Sequence, residues 1–166
     1  MKSSKLVESE WRTVQNRIKN SGHRYQVFNI PIFDGKKELL MQLLDKIQKE
    51  GVTVAVILTS AGVEMGSFLS WVPVSEDFSL IAEEWVRESV STDSEAFLIQ
   101  TNSSEFGPIV SGHFLPTGEL FPEKVIDRLV NESINYLRHH QLVKDDDDDD
   151  DDDEYIDPNN YGLGDW

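Results

Sequence analysis

Apolar side chains along this chain follow two rhythms, one of three to four residues and one of two or fewer, and their alternation sets out a series of helices and strands. Residues 4–20 place Val7, Trp11, Val14 and Ile18 on one stripe, which predicts a helix with Ser3 or Ser4 as its N-cap. From Tyr25 to Phe33 the pattern is that of a strand. Its apolar phase shifts at Val27 and Phe28, and Pro31 removes a backbone donor, so a bulge or an edge position is expected. Asp34 is expected to cap a helix over 35–50 that buries Leu40, Leu43, Leu44 and Ile47. Lys46 and Lys49 fall in its last turn and Gly51 follows it. Val52 to Thr59 is a β-branched, nearly continuous apolar run, as expected of a strand covered on both faces. If these two strands are parallel, the β-α-β order implies a right-handed crossover.

Residues 66–74 read as another strand, in which Phe68 and Trp71 differ in parity and face opposite sides. Ser75 is expected to cap a helix over 76–90 whose apolar side is Phe78, Ile81, Ala82, Trp85 and Val86. Strands over Glu95–Thr101 and Pro108–Leu115 flank a polar turn. A last helix starts near Pro122, which suits the first helical position, and buries Ile126, Leu129, Val130 and Leu137. The order α-β-α-β-β-α-β-β-α predicts a single α+β layered domain over residues 1–144, a mixed β-sheet with flanking helices. Its β-α-β-β-α-β centre is compatible with a ferredoxin-like arrangement.

Charge changes the picture at the C-terminal end. Of 31 acidic residues, 12 lie after Lys144, whereas all 15 Lys and Arg lie before Asp145. The formal charge of −16 therefore divides into −4 for residues 1–144 and −12 for the last 22. Nine consecutive aspartates, Asp145, Asp146, Asp147, Asp148, Asp149, Asp150, Asp151, Asp152 and Asp153, are followed by Glu154 and Tyr155, and the chain closes on Trp166. Unpaired carboxylates are too costly to bury in an apolar core, so this segment is expected to be a disordered acidic tail, solvated or seated on a cationic surface. An extended chain advances roughly 3.3–3.6 Å per residue, and one nucleic-acid strand carries a phosphate about every 3.4 Å. The aspartate run thus copies the charge spacing of a single strand. Acidic runs also keep proteins soluble without binding anything in particular. Against a purely solubilising role stand Tyr155, Ile156, Tyr161, Leu163 and Trp166, apolar groups beside and beyond the charge. The last 22 residues resemble the acidic C-terminal tips of bacterial and phage single-stranded-DNA-binding proteins, which also finish a carboxylate-rich tail with an aromatic. Here the ending is Gly164, Asp165 and Trp166 rather than the usual terminal Phe.

The remaining chemistry is sparse. Zero cysteines exclude a disulfide framework, thiolate zinc sites and cysteine nucleophiles. No apolar leader or membrane-length run is present, so a cytoplasmic protein without membrane contact is expected. Lys5, Arg12 and Lys19 recur every seven residues on the first helix and are a candidate anion-binding rail, for the protein's own tail or an external polyanion; the alternative is a plain solvated face with a Glu8–Arg12 pair. His113 on a strand is a candidate general base awaiting a carboxylate. Glu84 and Glu88 stand at a spacing that suits a divalent ion if a second segment contributes, while a Glu83–Arg87 pair favours a solvated face. His139 and His140 point about 100° apart and suit a helix C-terminus better than a metal. Trp11, Tyr25, Phe28, Trp71 and Trp85 would stack on bases if exposed, but most occupy core-facing positions.

Neither cofactor nor metal nor catalytic residue is expected. The reading is a non-enzymatic, inhibitor- or immunity-like regulator that contacts a basic protein, such as a nuclease, through the tail. Its alternative is a single-stranded nucleic-acid-binding protein whose tail recruits replication or repair partners.

Overall fold

The computed structural model describes residues 2–140 apart from 52–53, 75–77, 79 and 116–120. Helix α1 (Lys2–Ser21) leads into strand β1 (Tyr25–Asn29), helix α2 (Lys37–Lys49), and strands β2 (Ala55–Ala61) and β3 (Gly66–Trp71). Helix α3 (Ala82–Ser89), strands β4 (Phe97–Asn102) and β5 (Ile109–Phe114), and helix α4 (Pro122–His139) complete the order. The strands form one mixed sheet in the order β1-β2-β3-β5-β4, with β1 parallel to β2 and every other pairing antiparallel. The molecule is thus an α+β domain with a five-stranded sheet and helices on both of its faces.

Residue parity in β2 explains the layering. Val54, Val56 and Leu58 pack with α1 and α2, while Ala55 and Ile57 pack with α3 and α4. All five are fully or almost fully buried, which is the two-faced burial that the continuous apolar run implied. Phe68 and Trp71 fall in opposite clusters, as their parity required. The phase change in β1 has the same cause: Tyr25 and Val27 serve one cluster, Phe28 and Ile30 the other. Its register with β2 runs unbroken from Tyr25 opposite Ala55 to Asn29 opposite Thr59, so it needs no bulge; β1 is an edge strand.

A ferredoxin-like centre is not what forms. That arrangement splits its parallel pair with an intervening strand, whereas β1 and β2 are direct neighbours here, and α2 and α3 lie on opposite sides of the sheet. With apolar residues on both faces of β2, helices on one side alone would leave half of them in water.

Three helix starts also differ from expectation, the first being α1, which begins at Lys2, so that Ser3 and Ser4 lie within the helix rather than at its N-cap. Asp34 does not cap α2; it adopts the left-handed conformation (φ 55°) and closes a 3-10 turn over Pro31–Phe33, and α2 begins after Lys36. Serines from the sheet impose this turn. The Gly35 N–H donates to Ser60 Oγ at 2.9 Å, Ser60 Oγ donates to the Ile30 carbonyl at 2.7 Å, and Ser67 Oγ donates to the Gly35 carbonyl at 2.8 Å. Gly35 has φ 79°, and a Cβ there would collide with the Met65 backbone. Helix α3 starts at Ala82, six residues later than the pattern suggested, and Ser75 lies outside the described residues. Tyr25 holds the preceding segment: its oxygen accepts the Leu80 N–H at 3.4 Å, and its ring meets Phe78 edge-on at 5.5 Å. Ile81 is left exposed rather than buried.

The other core residues sit as expected. Gly51 follows α2 with φ 73°, Pro122 opens α4, and Ile126, Leu129, Val130 and Leu137 are buried. Trp85 is wholly buried, donates Nε1–H to the Ser133 carbonyl at 3.3 Å and packs edge-on against Tyr25 at 5.7 Å. On β5, Gly112 leaves room for the ring of Phe68, into which a Cβ would project. Phe68 is held in turn by Phe97 at 5.1 Å between ring centroids. Gly112→Ala should therefore destabilise the fold by about 1–3 kcal/mol, the usual cost of overpacking a filled core. Urea unfolding monitored by circular dichroism measures this; an unchanged midpoint would show that Phe68 can move aside.

Candidate functional site

Helix α1 buries Val7, Trp11 and Val14 and turns Lys5, Arg12 and Lys19 outward. At 1.5 Å per residue, fourteen residues of helix set the outer two cations about 21 Å apart. Lys5 and Arg12 border a shallow hollow of about 330 Å³ together with Glu8 and Ser9. The expected Glu8–Arg12 pair gives way to a bond across helices: Lys46 of α2 donates to Glu8 Oε2 at 2.6 Å. That hydrogen bond and the lysine charge hold the Glu8 carboxyl below its ordinary value, with a smaller contribution from Arg12. With Glu8 engaged elsewhere, none of Lys5, Arg12 and Lys19 joins an ion pair among the described residues.

Charge is also divided between the helix layers. Residues 1–51, which supply α1, β1 and α2, carry ten Lys and Arg against six Asp and Glu, a net +4. Residues 52–144 carry five against thirteen, a net −8. The mildly acidic body is thus a positive layer joined to a negative one.

A second feature lies where the parallel strands end. The Asp34–Gly35 turn packs on the β2–β3 turn, and beside them a cleft of about 490 Å³ is lined by Met41, Met65 and Phe114. Lys37, Glu38, Glu64 and His113 also line it. Ile32 and Val63, 53% and 85% exposed, extend this apolar surface from the two packed turns. His113 therefore shares a cleft with two carboxylates that no local pattern could have brought to it, although it makes no ion pair among the described residues.

The remaining candidates resolve into packing and surface pairs. The segment that reaches Glu84 is α4, and it brings a phenol: Tyr136 donates to Glu84 Oε2 at 2.7 Å. Arg87 pairs with Glu83 at 2.5 Å, as the spacing suggested. Among the described residues, no group of three or more metal-ligating side chains converges. His139 and His140 are exposed at the end of α4, where the His140 ring lies 4.2 Å from that of Tyr136. Trp11, Tyr25, Phe28, Trp71 and Trp85 are all buried, so they pack the core and present no stacking platform. Asp145–Asp153, Glu154, Tyr155 and Trp166 lie outside the described residues. Among the described residues, no helix is long and apolar enough to cross a membrane.

Two titrations test these contacts. Burial, then the bond to Glu84 and the charges of Glu84 and Glu88, push the Tyr136 phenol up to about 12 from 10.0. Because the folded value is the higher one, this contribution to stability is complete below pH 10 and is lost as pH rises towards about 12. Glu84→Gln should bring the midpoint part of the way back, read by NMR of tyrosine labelled at Cζ. Glu8 has the opposite sign: its folded value is depressed, so its contribution holds above the ordinary 4.5 and fades as pH falls through the lowered value. Lys46→Met should return the Glu8 carboxyl midpoint, followed by ¹³C NMR, towards 4.5.

No family model matches the chain, and no curated protein matches it. Among solved structures, it is similar to the C-Ala domain of alanyl-tRNA synthetase from Aquifex aeolicus. The identity is 20%, the match covers 67% of this chain and 89% of that one, and the TM-score is 0.37. It is also similar to the biotin acetyl coenzyme A carboxylase synthetase of Helicobacter pylori with bound biotinylated ATP. There the identity is 7%, the coverage 68% and 74%, and the TM-score 0.34. Likenesses this loose carry no functional argument.

Proposed function

We propose that the protein is a non-enzymatic cytoplasmic regulator that acts by contact, an inhibitor or immunity-type protein for a basic partner such as a nuclease or another nucleic-acid-binding enzyme. One observation carries this reading: the last 22 residues hold −12 of the −16 formal charge, in a run whose spacing matches that of a nucleic-acid strand. The apolar cleft at Met41 and Met65 supports it by offering an adaptable surface on which a partner can dock beyond the charge contacts. In this scheme the aspartate string draws the partner in and occupies its polyanion groove, while the body supplies selectivity.

A second reading has its own support in the positive layer. Three cations of α1 outside any described ion pair suit an external single strand, with the tail as a competitor and a landing site for replication or repair proteins.

Replacing Asp145–Asp153 by asparagine in the full chain separates the two. On the first reading, capture of basic partners is lost, and binding by the unaltered chain weakens by orders of magnitude between about 50 and 200 mM salt, as for phosphate contacts. A flat salt response would assign the complex to the body alone. Tighter oligonucleotide binding by the asparagine variant would select the second reading.

A further inference from the structure

We propose that the outer face of α1 is the docking site for the chain's own aspartate string, so that Lys5, Arg12 and Lys19 hold Asp145–Asp153 in cis until a basic partner displaces it. This rests on the reading of the tail as the partner-binding element and assigns its regulation.

Charge selects the layer. A string of nine carboxylates is repelled by residues 52–144, net −8, and attracted by residues 1–51, net +4. Within that layer the unpaired cations that form a row are those of α1; Lys36 and Lys37, which also enter no ion pair among the described residues, stand together at the start of α2. Lys46 is engaged with Glu8 and Lys49 with Asp45, whereas Lys5, Arg12 and Lys19 enter no ion pair among the described residues. Of the two acids between the first two, Glu8 and Glu10, Glu8 is three and four residues from them on the same face and is bonded to Lys46 of α2.

Dimensions agree. The rail is about 21 Å long, and nine extended residues reach roughly 30 Å, so the string can span all three cations at once.

Connectivity brings the two together at one end of the sheet. Pro122 and Ile126, in the first turns of α4, pack beside Gly66, which pairs with Ala61 at the carboxyl end of β2. Running back along β2 and its neighbour β1, α4 therefore ends towards Tyr25 and Ala55, the residues that start those strands. Helix α1 ends at the same place, since only residues 22–24 separate it from Tyr25. Its second half lies over the edge strand, with the Arg17 guanidinium 6.0 Å from the Phe28 ring. In the proposed arrangement the string passes from the end of α4 around the β1 edge, meets Lys19 first and runs towards Lys5.

Each exposed contact is weak, but a tether of a few residues supplies an effective concentration in the millimolar range, enough for several weak contacts to act together. Three cations cannot neutralise nine carboxylates. The surplus stays available to start exchange with a more basic surface, and salt weakens the latch as it weakens the partner complex.

The absence of native cysteine makes a direct test simple. Spin labels on Ser9→Cys and Asp149→Cys in the full chain report the distance between α1 and the string. At about 50 mM salt a short-distance population is expected, and it should broaden at high salt. It should broaden equally at low salt when Lys5, Arg12 and Lys19 are all changed to Gln, and persist when Lys5 and Lys19 are changed to Arg. A broad distribution at low salt in the unaltered chain overturns the proposal. So do short distances that survive the glutamine changes, or an oligonucleotide that occupies α1 without moving the label.

Deca-lysine serves as the basic probe for the parent reading. The glutamine variant should bind it several-fold more tightly than the unaltered chain does, an increase that disappears when Asp145–Asp153 are asparagine. No increase overturns the cis latch. Binding of deca-lysine that ignores the aspartates in every variant overturns the parent reading instead, whatever the label distance shows.

Discussion

The layering of this fold follows from an interior strand, β2, that must be dry on both sides. Val54, Val56 and Leu58 point one way and Ala55 and Ile57 the other, and each side needs its own helices. Burial of a large aliphatic side chain is worth roughly 1.5–3 kcal/mol, so leaving either face in water would cost a large part of a domain's net stability. Helices α1 and α2 close one face, α3 and α4 the other. The direct pairing of β1 with β2 and the later antiparallel additions are built around that sandwich.

The same division sorts the charge. Because α1 and α2 come from the first 51 residues, which are net positive, one outer surface of the sandwich is cationic while the other half of the chain is acidic. The Lys46–Glu8 bond joins α1 to α2 and gives the acid that lies among the cations of α1 a partner on the neighbouring helix. A structural contact between helices thereby shapes the surface on which an anion can act. Sheet serines play a comparable part at the other end: Ser60 and Ser67 lock the turn around Gly35, and that turn forms a wall of the apolar cleft.

These two surfaces, a cationic helix face and an apolar cleft, differ in the partners they suit. The helix face answers to charge and falls under the control of salt; the cleft, with Met41 and Met65, adapts to shape. Charge speeds encounter while close packing discriminates between partners, so the two surfaces would serve the proposed contact regulator in different ways.

Much of this was legible in the chain. The spacing of Leu40, Leu43, Leu44 and Ile47, the two-faced run before Thr59 and the position of Pro122 determine their elements locally, because periodicity and proline geometry act within a few residues. The concentration of carboxylates after Lys144 is a property of the sequence alone. Tertiary structure decided what depends on distant partners. Asp34 became a left-handed turn residue because Ser60 and Ser67 hold Gly35, and the helix after it was displaced. Glu8 chose Lys46, 38 residues away, over Arg12 on its own helix. His113 came to line the same cleft as Glu38 and Glu64, which is assembled from separate segments. A local pattern places a residue on a face, but the group that it meets there is set by which layers the hydrophobic effect presses together.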